Sequence, residues 1–302
     1  FLSATQDIVL DAYRRELLPE VELGLGNAVH VNAYKIAGLV PGSLSLILAD
    51  HLPWLQVFAI TALFMLPGMA MTLLVREVPA AQAAPKTLRE AVVEPFREFI
   101  GRNGWREAGY VLAFIFLYKL GDSMCTALAT PFYLEMGFSK SDIGLVAKHA
   151  GLWPSVIGGL LGGLWMVRLG INRALWIFGV VQLGAILGFA WLAWLGPQAV
   201  IGADQRIALA VVIGIEALGV GLGTAAFVAF IARTTHPAYT ATQFALFTSL
   251  MAVPRTFINA STGWLVGQMG WFNFFLICTV LAVPGMLLLL RVAPWNERPE
   301  GN

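Results

Sequence analysis

Long apolar blocks separated by short polar segments dominate the pattern of hydrophobic and polar positions along the chain. A block of about 20 apolar residues is the length that an α-helix needs to cross a bilayer. Apolar and polar residues do not alternate in segments of about ten, as they would in a membrane β-barrel. The pattern therefore predicts an all-α, polytopic membrane protein. Nine spans are expected, at about 1–18, 25–49, 54–75, 108–133, 142–167, 174–196, 206–232, 240–267 and 271–291.

The amino-acid composition indicates the same class of protein. Of the 302 residues, 58% are hydrophobic and 12% are charged, and the mean hydropathy is +0.74. Soluble domains carry about 25% charged residues. A net charge of +1 gives no reason to expect a nucleic-acid partner. Cys125 and Cys278 fall inside apolar runs and match neither a disulfide framework nor a metal-ligand spacing, so no metal or other cofactor is expected.

The distribution of lysine and arginine predicts the orientation in the membrane. Thirteen of the nineteen Lys and Arg residues fall in one set of connections, two fall in the opposite set, and four lie within spans. Because short loops rich in Lys and Arg stay in the cytoplasm, the C-terminus is expected there and residue 1 outside. A chain that starts outside at Phe1, without a basic signal segment, predicts that further spans are missing before it.

The longest connection, residues 76–106, divides the chain into two groups of spans. Three spans precede it, in residues 1–75, and six follow it, in residues 107–302. Its first part is rich in Ala and Pro, which is typical of a linker. Its second part, residues 87–100, repeats apolar residues at helical spacing and predicts an amphipathic helix at the cytoplasmic membrane surface. A solvated linker with partial helicity is the alternative.

Ionisable residues interrupt six of the predicted spans. Lys119 and Asp122 are three residues apart in the apolar run from Ala108 to Pro131, so they share one helix face. Six more charges lie in the spans, and eight unpaired charges would cost roughly 20–28 kcal/mol. We therefore expect them to be paired, hydrated or protonated around a polar interior. The six are Asp7, Asp11, Lys35, Lys148, Glu216 and Arg255.

Two interpretations of Lys119 and Asp122 remain open. They form a self-neutralising pair that only helps the helix to pack, or they line a water-filled path. We prefer the second, because ionisable residues inside membranes are functional candidates by default. Glu216 lies near the middle of its span with no cation nearby in its own sequence. It is either the carboxyl of a proton-coupled carrier or a structural hydrogen-bonding group.

The first span carries polar residues at two depths. Asp11 is about one turn from Arg14 and Arg15, which predicts an ion pair at the cytoplasmic end. Gln6 and Asp7 lie deeper and are better candidates for a cavity.

Several short blocks carry a resemblance to known transporters. Residues 162–173 are similar, in degenerate form, to the loop signature G-x-L-x-D-R-x-G-R-R of the major facilitator superfamily. Val167 stands at the acidic position, so the charge-relay gate of that loop is not carried over. The blocks Ala4–Ala12, Pro85–Leu88, Leu117–Asp122, Gly223–Ala229 and Ala241–Leu246 resemble the AmpG-type muropeptide permeases within that superfamily.

This resemblance implies a carrier of the bacterial inner membrane. Such carriers import anhydro-muropeptides, which are sugar–peptide fragments of the cell wall, for recycling, and their product pool feeds β-lactamase induction. The family is thought to use the proton gradient. The nine spans would be helices four to twelve of the superfamily fold, with residues 76–106 joining the two six-helix halves. The implied partners are the sugar–peptide substrate, protons and the lipid bilayer, and the carrier is expected to be a monomer.

The resemblance also implies which residues form the substrate and proton pathway. Helices one, four, seven and ten line the central cavity of that fold, and helices five, eight and eleven flank it. Lys148 lies on one of the flanking helices. We expect the cations to meet substrate carboxylates and the amide and acids to bind sugar hydroxyls. The expected pathway consists of Gln6, Asp7, Lys35, Lys119, Asp122, Glu216 and Arg255.

Two other functions are considered. One is a carrier of the same fold for another bulky polar anion, such as acetyl-CoA. The other is a membrane-embedded acyltransferase, but such enzymes concentrate His and Asp near one membrane face, and the four histidines here are scattered. No enzymatic activity is therefore expected. A channel lacks the ring or filter-like repeat that would select ions.

Overall fold

The computed structural model describes residues 2–38, 40–45, 48, 52–75, 88–139, 142–198, 200–236 and 239–296. Within these residues the chain is almost entirely helical and contains no strand, which confirms the all-α fold. The helices are α1 (Leu2–Leu17), α2 (Glu20–Ala37), α3 (Trp54–Leu63), α4 (Leu66–Leu74), α5 (Leu88–Leu117), α6 (Leu120–Ala127), α7 (Ala129–Glu135), α8 (Lys148–Leu195), α9 (Ala203–Thr234), α10 (Thr240–Val253) and α11 (Thr262–Val292). Single π-helical turns occur at Val40–Leu44, Ile143–Ala147 and Pro254–Ile258.

Three glycines turn the chain inside the long helices α5, α8 and α11. Gly104, Gly170 and Gly270 each have φ 75°, a backbone conformation that glycine adopts easily because it has no Cβ. Gly170 falls between the fifth and sixth predicted spans, and Gly270 between the eighth and ninth. Helix α8 therefore contains two consecutive spans joined by a tight turn, and α11 contains the end of the eighth span, a tight turn and the ninth span.

The described residues contain five helical stretches that are long and apolar enough to cross a membrane. Because the turns at Gly170 and Gly270 divide two of them, these stretches account for seven of the nine predicted spans. The first two predicted spans correspond to α1, which has only 16 residues, and α2, which carries three charged residues among its 18. The five stretches are Trp54–Leu74, Gly104–Glu135, His149–Leu195, Ala203–Thr234 and Thr242–Val292.

Glycines bring α8 and α9 into backbone contact. A Cβ atom at Gly158 would collide with the carbonyl oxygen of Leu218, and one at Gly221 would collide with that of Ser155. Small residues allow membrane helices to approach this closely. The glycine runs of these two helices are therefore packing surfaces.

Helix α2 packs against the first part of α8. A Cβ atom at Gly163 would collide with Ala28, and one at Gly24 would lie 3.0 Å from the Cβ of Met166. The residues before the long connection are therefore packed directly onto the residues after it. The first part of that connection, residues 76–87, lies outside the described residues.

Arginines from distant segments meet at one end of the bundle. Arg15 of α1 donates to the carbonyl of Ala232 at 2.7 Å, and Arg102 of α5 donates to the carbonyl of Thr234 at 2.8 Å. Both carbonyls belong to the C-terminal end of α9, whereas Arg206 is at its N-terminal end. The connections that are rich in Lys and Arg thus place arginines at the same end of the fold.

Candidate functional site

The helix that carries the predicted charge pair is interrupted at Tyr118 and Lys119, between α5 and α6. Lys119 has φ −100° and ψ 4°, in the bridge region where many active-site residues lie. Tyr118 is buried, and its hydroxyl donates to the carbonyl of Leu175 at 2.9 Å. A Cβ atom at Gly285 of α11 would lie 2.7 Å from the Cα of Tyr118. The buried tyrosine and this close helix contact fix the position of the break.

The break brings Lys119 and Asp122 together. Nζ of Lys119 lies 3.2 Å from Oδ2 of Asp122, and each side chain is 15% exposed. Asp122 is in the first turn of α6, where the helix dipole favours a negative charge. The pair that the spacing predicted is therefore present, although it forms at the start of a new helix and not along a continuous one.

Glu216 lies within α9 and is only 8% exposed. Its Oε1 has no hydrogen-bond partner among the residues that the structure describes. The charges of Asp122, Lys119 and Lys35 are close enough to act on it electrostatically. Because a buried polar atom without a partner is unfavourable, a proton or a ligand donor that reaches this oxygen would remove an unfavourable interaction.

Lys35 connects α2 to the same group. Its Nζ donates to the hydroxyl of Ser155 on α8, and its charge interacts with those of Lys119 and Glu216. We call Lys35, Lys119, Asp122 and Glu216 the central charge cluster. It contains two cations and two carboxylates, drawn from parts of the chain on both sides of residues 76–106. No three His, Cys, Asp or Glu side chains in the described part of the chain are placed to hold a metal ion.

The other predicted pathway residues lie elsewhere. Gln6 and Asp7 are exposed on α1, and no described contact joins them to the central charge cluster. Asp11, one turn further on, accepts from Arg14 at 2.7 Å, as the ion-pair prediction required. The backbone of Arg255 is in the π-helical turn after α10, but its side chain, like that of Lys148, is outside the described residues.

Sequence reasoning missed four buried polar residues of α2 and α8, the helices that the contact between Lys35 and Ser155 joins. Ser155 is the partner of Lys35, and Gln182 on α8 has a buried amide nitrogen without a partner among the described residues. Asn27 and Asn32 are buried in α2. Each interrupts an apolar run, which is the signal that could have identified it, but attention to ionisable groups alone passed over neutral amides and hydroxyls.

A second polar group joins the segment before Gly104 to the start of α10. The side-chain nitrogen of Gln243 donates to Glu98 at 2.7 Å and to the carbonyl of Pro95 at 2.9 Å, and its oxygen accepts from the backbone N–H of His236 at 2.7 Å. Glu98 also pairs with Arg102 at 3.2 Å.

Beside these bonds, the ring of Phe99 packs edge-on against that of Phe247 at 5.1 Å. We call Glu98, Phe99, Arg102, Gln243 and Phe247 the linker clamp. It joins α5, which follows the undescribed residues 76–87, to two later helices, α9 and α10.

The sequence and the fold together define the class of protein. Residues 1–259 match the family described as Major Facilitator Superfamily. This match covers most of the chain and agrees with the all-helical, membrane-spanning structure. The chain therefore belongs to the Major Facilitator Superfamily, whose members are transporters and not enzymes, so an acyltransferase is not favoured.

Comparison with individual proteins shows which members of the superfamily the chain resembles. An uncharacterized protein of Haemophilus influenzae is 54% identical over 299 residues, which are 98% of this chain and 70% of that protein. The anhydromuropeptide permease of Escherichia coli K12 is 39% identical over 292 residues, 96% of this chain and 57% of the permease. The putative transporter AmpG 4 of Rickettsia conorii is 31% identical over 297 residues, 96% of this chain and 69% of that protein. The resemblance to AmpG-type permeases is confirmed, and the chain spans 57–70% of the length of these relatives.

Proposed function

We propose that this chain forms part of a proton-coupled secondary transporter that imports anhydro-muropeptides across the bacterial inner membrane. The identity to the E. coli permease over 96% of the chain supports the substrate class. The observation that carries the mechanism is the buried Glu216, whose Oε1 lacks a partner among the described residues and which interacts with two cations and a second carboxylate. Such a cluster inside a transporter is able to bind both an anionic substrate and a proton.

The cations of the central charge cluster provide the binding chemistry. A muropeptide carries peptide carboxylates and sugar hydroxyls. Lys119 and Lys35 would donate charge-assisted hydrogen bonds to the carboxylates, in competition with their present partners Asp122 and Ser155. Substrate binding would therefore loosen contacts between helices, including the one that joins α2 to α8.

Glu216 would carry the coupled proton. When Glu216 is protonated, the cluster loses one negative charge, so the two lysines attract substrate carboxylates more strongly. When the proton leaves on the other side of the membrane, the carboxylate again competes with the substrate for the lysines. Binding of the proton and of the substrate would thus favour one another, which is the requirement for symport.

The remaining predictions complete the proposed architecture. Residues 1–75 would belong to the first half of the superfamily fold, residues 107–302 to the second half, and residues 76–106 to the linker. The end where Arg15 and Arg102 meet α9 would face the cytoplasm, together with the C-terminus. Gln6, Asp7 and Arg255 would contribute to the pathway from α1 and from the turn after α10, and the carrier would act as a monomer in the bilayer.

A competition between two substrates tests this proposal. Membrane vesicles that contain the intact protein would be given labelled anhydro-muropeptide or labelled acetyl-CoA, with and without a proton gradient. We expect uptake of the muropeptide only, and faster uptake with the gradient. Uptake of acetyl-CoA instead would support the alternative carrier, and muropeptide uptake that ignores the gradient would contradict proton coupling.

A further inference from the structure

A small cavity lies directly beside Asp122, between α6, the second part of α8 and the second part of α11. Its volume is about 10 Å³, close to the smallest space that holds one water molecule. Three of its lining residues carry polar side chains. The lining includes Tyr118, Asp122, Gly179, Gln182, Ala282 and Met286.

Gln182 is the unexplained polar residue of this cavity. It is 6% exposed, and its Nε2 has no hydrogen-bond partner among the described residues. Buried polar atoms in native proteins are nearly always paired with protein or with ordered water. A leucine or methionine of similar size would fill the same space if packing were the only requirement, so the amide indicates a hydrogen-bonding role.

The packing of Gln182 fixes the position of its amide. A Cβ atom at Gly223 of α9 would collide with Oε1 of Gln182 and lie 2.8 Å from its Nε2, and one at Gly219 would lie 3.5 Å from its Cα. These two glycines let the glutamine lie directly against α9. The side chain is therefore held between α9 on one side and the cavity that it lines.

We infer that this cavity binds one ordered water that links Gln182 to Asp122. The water accepts a hydrogen bond from Nε2 of Gln182 and donates to the carboxylate of Asp122. Its second O–H donates a hydrogen bond to the hydroxyl oxygen of Tyr118, whose own hydrogen is already donated to the carbonyl of Leu175. This gives the water about three hydrogen bonds, the typical number for a buried water.

The water makes Gln182 a positioning residue for the carboxylate that pairs with Lys119. Gln182 does not belong to the central charge cluster, but through the water it holds the carboxylate of Asp122 from α8. This role rests on the proposed function of the cluster. It also explains why a neutral amide lies in the otherwise apolar interior of the sixth predicted span.

The direct test is a structure of the intact protein at a resolution that shows ordered water. We expect density within hydrogen-bond distance of both Nε2 of Gln182 and an oxygen of Asp122. The density should persist in Leu187→Met, which changes an exposed side chain of α8 outside the cavity lining, and should be absent in Gln182→Met. An absence of density in the unmodified protein, or its persistence in Gln182→Met, would overturn the assignment.

Uptake kinetics test the positioning role separately. Gln182→Met should lower the maximal rate of muropeptide uptake about fivefold, the loss expected for one hydrogen bond, and leave KM within about twofold because Gln182 does not touch substrate. Leu187→Met should change neither. Equal rates in the two variants would contradict the positioning role. A protein that shows the water but takes up no muropeptide would contradict the proposed function and leave the water site standing.

Discussion

The central charge cluster and the linker clamp both join separate helices through polar side chains, but they differ in how completely their atoms are paired. In the linker clamp, Gln243 uses its nitrogen for two acceptors and its oxygen for one donor. In the central charge cluster, Oε1 of Glu216 is buried without a partner among the described residues. The amide of Gln243 thus has partners for both its nitrogen and its oxygen, whereas Oε1 of Glu216 is able to accept a further hydrogen bond.

This difference separates a structural role from a functional one. A fully paired polar network rigidifies the helices that it joins, and removing one member leaves the others unpaired. A buried carboxylate oxygen that lacks a partner is unfavourable for stability, and it responds to any proton or ligand donor that pairs with it. We therefore expect substitutions in the linker clamp to affect mainly stability, and substitutions in the central charge cluster to affect mainly transport.

The largest effect is expected when the Lys119–Asp122 pair is broken. Lys119→Ala or Asp122→Ala should reduce uptake of anhydro-muropeptide by about 100-fold or more, because the first removes a proposed donor to the substrate carboxylates and the second removes the carboxylate that holds this donor in place. Uptake by vesicles with matched amounts of protein measures this effect.

A matched control for this pair is Asp142→Ala. It breaks an ion pair with Arg206, whose atoms are 2.6 Å apart, at the end of the bundle, and should leave uptake nearly unchanged. If uptake survives both Lys119→Ala and Asp122→Ala at normal membrane abundance, the central pair is structural, and the comparison with the linker clamp fails.

A smaller but more specific effect is expected at Glu216. Glu216→Gln keeps the size of the side chain and removes its titration, so uptake should no longer respond to the external pH, and its maximal rate should fall about tenfold. Initial uptake rates measured across a pH series provide the readout. Glu135→Gln, which changes a carboxylate that accepts from Trp271 at 2.6 Å, should keep the normal pH response. An unchanged pH dependence in Glu216→Gln would remove this residue from the proton path.

The smallest effect on transport is expected in the linker clamp. Gln243→Leu should lower the free energy of unfolding by about 1–3 kcal/mol, because it removes the hydrogen bonds that the amide makes to Glu98 and to the backbone N–H of His236. Thermal unfolding of the purified protein measures this, and KM for the muropeptide should stay unchanged. Gln198→Leu, an exposed glutamine, serves as the control. A loss of substrate affinity without a loss of stability would reverse the roles assigned to the two groups.

Most of the fold followed from the apolar blocks, because length and hydropathy alone identify a membrane helix. The turns at Gly170 and Gly270 agree with the predicted boundaries, since glycine is the residue that tolerates their positive φ. The hydropathy of α1 and α2 identifies them less clearly as membrane spans. Charged residues such as Glu20 and Glu22 in α2 lower the mean hydropathy by which a membrane span is recognised.

The candidate site could be predicted only in part. The spacing of Lys119 and Asp122 was enough to predict their pairing, because both belong to one short stretch. The contact between Lys35 and Ser155 depends on how α2 packs against α8, which no local pattern encodes. The same holds for Gln182, whose importance becomes visible only when the cavity beside Asp122 is known.

The glycine contacts between α8 and α9 have a mechanical consequence. Where Gly158 meets Leu218 and Gly221 meets Ser155, two backbones touch without side chains between them to change rotamer or slide. The first part of α8 and α9 should therefore move as one rigid unit in any large motion of the bundle. Helix α2 also packs closely on this part of α8, but its polar contact is between side chains, so the hydroxyl of Ser155 and the ammonium of Lys35 are able to part and meet again.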